Sequence, residues 1–283
     1  MFDTKYPIVC APMFKVSNIN LAIAARNAGC LPSFTNGYLS DAQQYSEQFD
    51  DNFIFFLSIN FDQTKIMKMK EILHLKAKYI SYSLPTGVSA AEYFKNIWNR
   101  KFIEDCKKQN CILILKTKVA VEDSEYFDVV NIHGNESAGG IIDKSTKELF
   151  LDQIKLTPNK IVLPAGGIAN SSDINWYLNN GTNTVMIGTL FAASLESPIA
   201  ENAKQLFVTS TKADIKSFTH RKTNVLILKE FVGKDDKNNS NSLALGVSGK
   251  GGHLYAGHGV DQIKEILPFN EIVRQLMLGV TIS

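Results

Sequence analysis

The chain has 283 residues, of which 45% are hydrophobic and 20% are charged. Its 30 basic and 28 acidic residues give a formal net charge of +2, which excludes the strongly basic surface of a typical nucleic-acid or anionic-membrane binder. No apolar run approaches the roughly 18 residues that a membrane span needs, and the start lacks the apolar stretch of a signal peptide. We therefore expect a cytoplasmic protein with neither nucleic acid nor membrane as a partner.

The spacing of cysteine and histidine gives no sign of a metal site. Cys10, Cys30, Cys106 and Cys111 form no C-x-x-C pair, and no two of the five histidines stand four residues apart. We expect no bound metal, and we interpret the cysteines as free thiols in the core of a cytosolic enzyme.

Short apolar runs rich in β-forming residues alternate with helical patterns along the chain. Eight such runs are predicted strands: Tyr6–Ala11, Cys30–Phe34, Phe53–Ile59, Tyr79–Tyr82, Ile112–Lys116, Val129–His133, Ile161–Ala165 and Thr184–Gly188. Each run is short, as strands of a parallel sheet that is buried on both faces are expected to be. Eight of them, separated by helices, predict an α/β fold, the TIM (β/α)8 barrel.

The segments between the strands carry helix signals. Residues 18–29 place leucine and alanine on one face and end at a glycine, and residues 90–109 read as one long helix. Ser171, Ser172 and Asp173 are predicted to cap the helix that follows strand seven. Pro268 is predicted to begin the last helix.

The alternation of strand and helix breaks after strand eight. Residues 206–255 include the polar stretch KDDKNNSNS and a glycine-rich run, so we predict an inserted segment there. A lid over the mouth of the barrel and a disordered surface loop are both compatible with this composition. The barrel domain is then expected to comprise residues 1–205 and 256–283.

Glycines follow two adjacent predicted strands. Gly166 and Gly167 stand between strand seven and a capped helix, and Gly188-Thr189 repeats the arrangement after strand eight. In (β/α)8 barrels these two loops often bind phosphate, because backbone N–H groups and the positive end of the helix dipole favour a dianion. Either turn alone would be explained by a tight strand-to-helix connection, but two neighbouring turns favour a phosphate site.

Several ordered motifs together resemble one known family. They are YPIVCAPM, FLSINF, NIHGNESAGG, LPAGGIANSSDI, VMIGTLFAASLES and AGHGVDQIKEILPFNEIVRQL, between Tyr6 and about Leu276. The chain resembles the nitronate monooxygenase (2-nitropropane dioxygenase) family, which includes flavin-dependent enoyl-acyl-carrier-protein reductases. The resemblance implies a barrel that binds FMN at the carboxyl ends of its strands.

Matching these motifs residue by residue gives the expected cofactor contacts. The family's Pro-Met dipeptide lies against the flavin ring, an Asn follows strand three, and the glycines of two loops hold the phosphate. The matching positions are Pro12, Met13, Asn60, Lys116, His133, Gly139, Gly140, Gly166, Gly167, Gly188 and Thr189. For Lys116, stabilisation of negative charge on the flavin and a salt bridge at the barrel rim both stay open.

Two departures from the family pattern bear on the chemistry. His133 stands where the family often has a flavin-contacting Gln, and Ile141 replaces the histidine that completes the A-G-G-H motif. In the family that histidine exchanges a proton with the substrate, which an isoleucine cannot do. His133 is therefore a candidate replacement base, with a role as hydrogen-bond donor to the flavin as the alternative.

The resemblance implies three candidate functions for a small-molecule substrate. A nitronate monooxygenase would oxidise alkyl nitronates with dioxygen, and a substrate that arrives ionised needs no base. An enoyl-thioester reductase would use a reduced nicotinamide and accept its substrate from an acyl carrier protein. The third candidate is a non-catalytic flavin-binding subunit of a larger assembly. The sequence leaves the oligomeric state open.

Overall fold

A computed structural model describes residues 2–57, 71–83, 88, 90–139, 142–218, 223–227, 244 and 246–282. The strands are β1 (Ile8–Cys10), β2 (Ser33–Thr35), β3 (Ile54–Leu57), β4 (Tyr79–Ser83), β5 (Ile112–Thr117), β6 (Val129–His133), β7 (Ile161–Ala165), β8 (Val185–Ile187), β9 (Lys216–Phe218), β10 (Thr223–Ile227) and β11 (His253–Tyr255). The α-helices are α1 (Ile19–Asn27), α2 (Leu39–Gln48), α3 (Ala90–Tyr93), α4 (Ile97–Lys108), α5 (Thr146–Leu156), α6 (Ser171–Asn179), α7 (Thr189–Ala192), α8 (Glu201–Thr209) and α9 (Phe269–Met277).

The first eight strands form a closed parallel barrel. Their order is β1-β8-β7-β6-β5-β4-β3-β2, so the strands from β2 to β8 pair in sequence order and β1 pairs with β8. The remaining gap closes through a parallel bridge between Val9 and Leu31, where the Cys10 amide donates to the Leu31 carbonyl at 2.9 Å. All eight predicted strands are present, and the predicted TIM barrel is confirmed.

The interior of the barrel is filled by one side chain from each of eight chain segments. They are Val9, Leu31, Ile54, Tyr79, Ile114, Val129, Leu163 and Met186, and they form a cluster of their own. Because side chains alternate along a strand, the residue two positions further on also points inward, nearer the carboxyl end. On β5 and β6 that rule directs Lys116, Asn131 and His133 toward the mouth of the barrel.

The predicted single helix over residues 90–109 is wrong, because α3 and α4 are separate helices. Phe94 lies between them, is buried, and stacks on Tyr126 at 4.3 Å between ring centroids. The side chain of Asn99 donates to the Tyr93 carbonyl at 2.9 Å, which satisfies a group that a continuous helix would have used. Burial of an aromatic side chain thus bends the chain where helical periodicity alone predicted continuity.

The predicted cap of the helix after strand seven is displaced by one residue. Asn170 is the N-cap, and its side-chain oxygen accepts a hydrogen bond from the Asp173 amide at 2.9 Å. Ser171 is instead the first helical residue. Asn, Ser and Asp are all good capping residues, so the run Asn-Ser-Ser-Asp did not distinguish among them.

The segment after strand eight contains regular structure in its described parts. The predicted boundary at residue 206 lies within α8, and β9, β10 and β11 form an antiparallel sheet in the order β11-β10-β9. Residues 219–222 and 228–243 lie outside the described residues. The lid over the mouth therefore stays a prediction.

The last helix begins directly after Pro268, as predicted. Its first residue, Phe269, is fully buried and stacks on Phe191 of α7 with a centroid separation of 4.0 Å. This contact fixes the short helix that follows the Gly188 turn. Among the described helices, none combines the length and the apolar character that a bilayer crossing requires.

Replacing Phe269 by alanine should lower the free energy of unfolding by about 3–5 kcal/mol, because it leaves a cavity beside Phe191. Urea denaturation followed by circular dichroism measures this change. Leu278→Ala is the matched control, since Leu278 is 59% exposed and its truncation should alter stability by less than about 0.5 kcal/mol. Equal effects of the two substitutions would contradict the packing role of Phe269.

Candidate active site

One cavity of about 410 Å³ lies at the carboxyl ends of the barrel strands, within the roughly 300–1,000 Å³ typical of ligand sites. Its lining includes every described residue of the predicted cofactor set: Pro12, Met13, Lys116, His133, Gly139, Gly166, Gly167, Gly188 and Thr189. Asn60, Gly140 and Ile141 lie outside the described residues. The two glycine turns therefore border one shared cavity.

The glycine turns present backbone N–H groups without described partners. Within the described part of the chain, the amides of Gly166, Gly167, Gly188 and Thr189 donate to no backbone carbonyl. The Thr189 hydroxyl accepts a hydrogen bond from the Gly257 amide at 3.0 Å, which ties the glycine-rich segment before α9 to this end of the cavity. Available amides on two neighbouring turns are suited to bind a phosphate dianion.

Gly166 and Gly167 also allow two loops to pack closely. Both have positive φ, +105° and +75°, which side chains other than glycine rarely adopt. A Cβ on Gly166 would lie 2.9 Å from the Cβ of Ser137, and one on Gly167 would lie 2.9 Å from the Cβ of Glu136. Tight packing of the two loops therefore requires glycine at both positions.

Glu136 anchors the loop that packs against these glycines. Its Oε2 accepts hydrogen bonds from the amide and the hydroxyl of Thr146, both at 2.8 Å, at the start of α5. Its carbonyl accepts from the His258 amide at 2.9 Å. The loop after β6 is thereby joined to the first turn of α5 and to the chain before α9.

The Pro12-Met13 turn is held by a serine that sequence reasoning did not single out. The buried Ser17 hydroxyl accepts from the Met13 amide at 2.8 Å and donates to the Ala11 carbonyl at 3.3 Å. The Ala11 amide in turn donates to the Ile187 carbonyl of β8 at 2.9 Å. These bonds fix the backbone of Pro12 and Met13 in the cavity wall.

Lys116 brings an amine into the cavity at the end of β5. Its Nζ lies 4.9 Å from the centroid of the Phe56 ring, a distance at which a cation interacts favourably with the ring face. No described carboxylate forms an ion pair with it, so the rim salt bridge considered above is not observed in the described chain. Burial and the nearby charge of Lys118 lower the pKa of Lys116 to about 8.

His133 is buried in the wall next to Lys116. Burial, and then the charges of Lys116 and Lys118, lower the pKa of His133 well below its usual 6.5, while hydrogen bonding to the backbone at Thr117 and Gly139 opposes this shift. Its Nδ1 has no hydrogen-bond partner among the described residues. The imidazole is thus neutral at pH 7, and a low pKa makes it a weak base.

Other cavity residues were missed from the sequence. Asn131 and Phe56 point inward by the strand alternation, and Asn131 donates to the Leu163 carbonyl at 2.8 Å. Each stands two residues after a residue of the barrel interior, Ile54 or Val129, but the sequence alone did not show which strand residues face inward. Leu254 and Tyr255 reach the cavity from β11, and no sequence pattern indicated that.

Two residues near the mouth do not line the cavity. Tyr82 faces the helices and donates to the Tyr126 carbonyl at 2.6 Å. The segment around His258 returns to the mouth, where Gly257 and Gly259 line the cavity and the His258 side chain does not. The four cysteines are free and buried, as predicted.

Solved structures share this fold at low sequence identity. A variant of FabK from Thermotoga maritima superposes with a TM-score of 0.80 at 20% identity, over 98% of this chain and 93% of that one. Nitroalkane oxidase from Streptomyces ansochromogenes gives 0.72 at 17% identity, over 97% and 96%. The enoyl reductase domain of MlnA from Bacillus amyloliquefaciens gives 0.67 at 11%, over 98% and 94%.

These superpositions establish a common fold along nearly the whole chain. No protein-family profile and no curated protein sequence matches the chain.

Replacing Gly166 by alanine should lower the free energy of unfolding by about 1–3 kcal/mol, because the new Cβ meets Ser137 and the positive φ becomes strained. Gly139→Ala is the matched control, since a Cβ there would meet nothing within 4 Å and stability should change by less than about 0.5 kcal/mol. Thermal and urea denaturation measure both. If the two variants are equally stable, close packing of the loops is not what requires Gly166.

The buried neutral His133 should make stability depend on pH. Below about 6.5 the unfolded chain binds a proton on this histidine and the folded chain does not, so stability is retained above that pH and falls as the pH decreases. Relative to His133→Gln, the wild type should lose up to about 1.4 kcal/mol per pH unit between about pH 6.5 and 5. Urea denaturation across this range measures the difference, and parallel curves for the two proteins would contradict it.

Proposed function

We propose that this chain is an FMN-dependent oxidoreductase of the nitronate monooxygenase family. The observation that carries the proposal is the single cavity in which the motif residues meet, from the glycine turns to Lys116 and His133. The shared fold with FabK and nitroalkane oxidase supports it. So does the position of the cavity, since enzymes with this barrel place their active sites at the carboxyl ends of the strands.

The cavity has features that fit FMN. The amides of the two glycine turns would hold the phosphate, and the Pro12-Met13 backbone would lie against the ring. Two buried polar atoms that line the cavity, Thr35 Oγ1 and His133 Nδ1, have no partner among the described residues, and buried polar atoms normally find one. Bound FMN would supply the group that accepts and returns electrons.

The charges in the cavity favour a substrate that is already an anion. Lys116 has no described carboxylate partner, so an incoming anion would be its counter-ion. His133 is a weak base, and Ile141 occupies the sequence position of the family's histidine. The described cavity therefore offers no strong base to abstract a proton from a neutral nitroalkane. An alkyl nitronate is already deprotonated and needs no such base. We infer oxidation of alkyl nitronates with dioxygen as the activity.

A second candidate is supported by the solved structures. FabK is an enoyl-acyl-carrier-protein reductase, and the MlnA structure is an enoyl reductase domain. An enoyl-thioester reductase would take electrons from a reduced nicotinamide and its substrate from an acyl carrier protein. In that reaction Lys116 would stand near the thioester, whose carbonyl oxygen gains negative charge.

Anaerobic titration of the purified protein distinguishes the candidates. The proposal predicts a yellow protein whose visible absorbance is bleached by an alkyl nitronate and restored by air. Bleaching by a reduced nicotinamide and not by nitronate would instead support the enoyl-thioester reductase. A yellow protein that neither reductant bleaches would favour the non-catalytic flavin-binding subunit. A colourless protein that gains no colour with added FMN would exclude all three candidates.

Lys116→Met should weaken nitronate binding by about 10–100-fold, because a charged hydrogen bond contributes ~1.5–3 kcal/mol. The Kd from anaerobic titration measures this effect. Lys108→Met is the matched control, since the Lys108 side chain is 70% exposed on α4, away from the cavity. An unchanged Kd in Lys116→Met, with the absorbance of the variant intact, would exclude Lys116 as the group that binds the anion.

A further inference from the structure

Lys116 differs in what its amine contacts from Lys160, which is also partly buried, and from the buried Lys204. Lys160 donates to the Ser124 and Phe127 carbonyls at 2.8 and 2.5 Å and pairs with Asp123 at 3.0 Å. Lys204 donates to the Leu195 carbonyl at 2.9 Å. The Lys116 amine instead lies over the Phe56 ring. Among the described residues, no carbonyl or carboxylate accepts a hydrogen bond from it. Its nitrogen is therefore available to a ligand in the cavity.

We propose that Lys116 is a reactive amine that forms an imine with small aldehydes and ketones that enter the cavity. The neutral amine adds to the carbonyl carbon and gives a carbinolamine. Loss of water from that adduct forms the C=N bond, and the carbonyl oxygen leaves as water with two protons, both of which come from the amine. The step needs no oxidant or reductant, and hydrolysis reverses it.

Two features of the surroundings favour the reaction. Burial makes a charged ammonium costly, and with a pKa of about 8 roughly one Lys116 in ten is neutral at pH 7, against roughly one in three thousand for an ordinary lysine. Lys116 on β5 pairs with Asn131 on β6, and His133 stands two residues after Asn131 on the same strand. His133 and Lys116 line the same cavity. A neutral imidazole beside the amine can relay the proton that the nitrogen loses.

The wall of the cavity sets the class of carbonyl compound. Met13, Phe56, Ile168, Leu190 and Leu254 make it mostly apolar, so short aliphatic aldehydes and ketones fit better than sugars or keto acids with several polar groups. Oxidation of an alkyl nitronate at carbon leaves a carbonyl compound of this class. That link to the reaction rests on the proposed function, whereas imine formation at Lys116 does not.

Reductive trapping tests the proposal directly. The purified protein is incubated at pH 7 with propionaldehyde and sodium cyanoborohydride, with and without added FMN, and the labelled lysines are located by peptide mass spectrometry. Lys116 should be alkylated at least about tenfold faster than the exposed Lys108, because its larger neutral fraction outweighs the lower nucleophilicity of a less basic amine. Lys204, whose pKa burial also lowers, lies outside the cavity lining and should stay unlabelled.

The dependence of the trapping rate on pH adds a second readout. The rate at Lys116 should rise up to about pH 8 and then level off, while that of exposed lysines continues to rise. The charged or titratable groups around the amine are Lys118 on its own strand, His133 on β6 and Glu136 across the cavity, whose carboxylate bonds Thr146. Lys116→Arg keeps the positive charge and should remove the labelled peptide.

Equal labelling of Lys116 and Lys108, or labelling of Lys204 in place of Lys116, would overturn the proposal. Failure to label Lys116 in both the presence and the absence of FMN, in protein with a native circular dichroism spectrum, would also overturn it. A protein that labels at Lys116 but is not bleached by nitronate would contradict only the proposed function. Bleaching without labelling would contradict only the imine.

Discussion

Closure of eight short parallel strands is the constraint on which the site depends. Once the barrel is closed, alternate side chains must point into a space that one layer of large residues already fills. The side chains of the next inward-facing layer therefore lie at the mouth of the barrel. Lys116 and Asn131 occupy that layer on β5 and β6, and His133 lies one layer further toward the mouth. Their convergence therefore follows from barrel geometry.

The same enclosure determines the protonation of the two basic groups. Removing an amine or an imidazole from water disfavours its charged form, and the charge of Lys116 further disfavours protonation of His133. For His133 this shift goes far enough to keep the ring neutral at pH 7, whereas Lys116 remains mostly charged with an appreciable neutral fraction. The cavity thus holds one mostly charged amine with an appreciable neutral fraction and one ring that stays neutral.

Much of this architecture could be predicted from the sequence, because its signals are local. Strands such as Val129–His133 and Ile161–Ala165 are short runs rich in apolar residues, and their predicted bounds match the structure. Glycine pairs after strands likewise mark turns that lead into helices. The break at Phe94 could not be predicted, because it depends on a ring contact with Tyr126, more than thirty residues away along the chain. The contribution of β11 to the cavity depends in the same way on distant pairing.

Gly166 and Gly167 show why local signals and function are difficult to separate. Their positive φ and the close approach of Ser137 and Glu136 would require glycine even if no ligand were bound. Yet the same close approach brings the loop after β6, which includes Gly139, to the side of the cavity where the amides of the two glycine turns lie. Packing and the proposed phosphate binding would therefore be two consequences of one backbone arrangement. Measurements of stability and of ligand binding on the same glycine variant are needed to assign the energy of each.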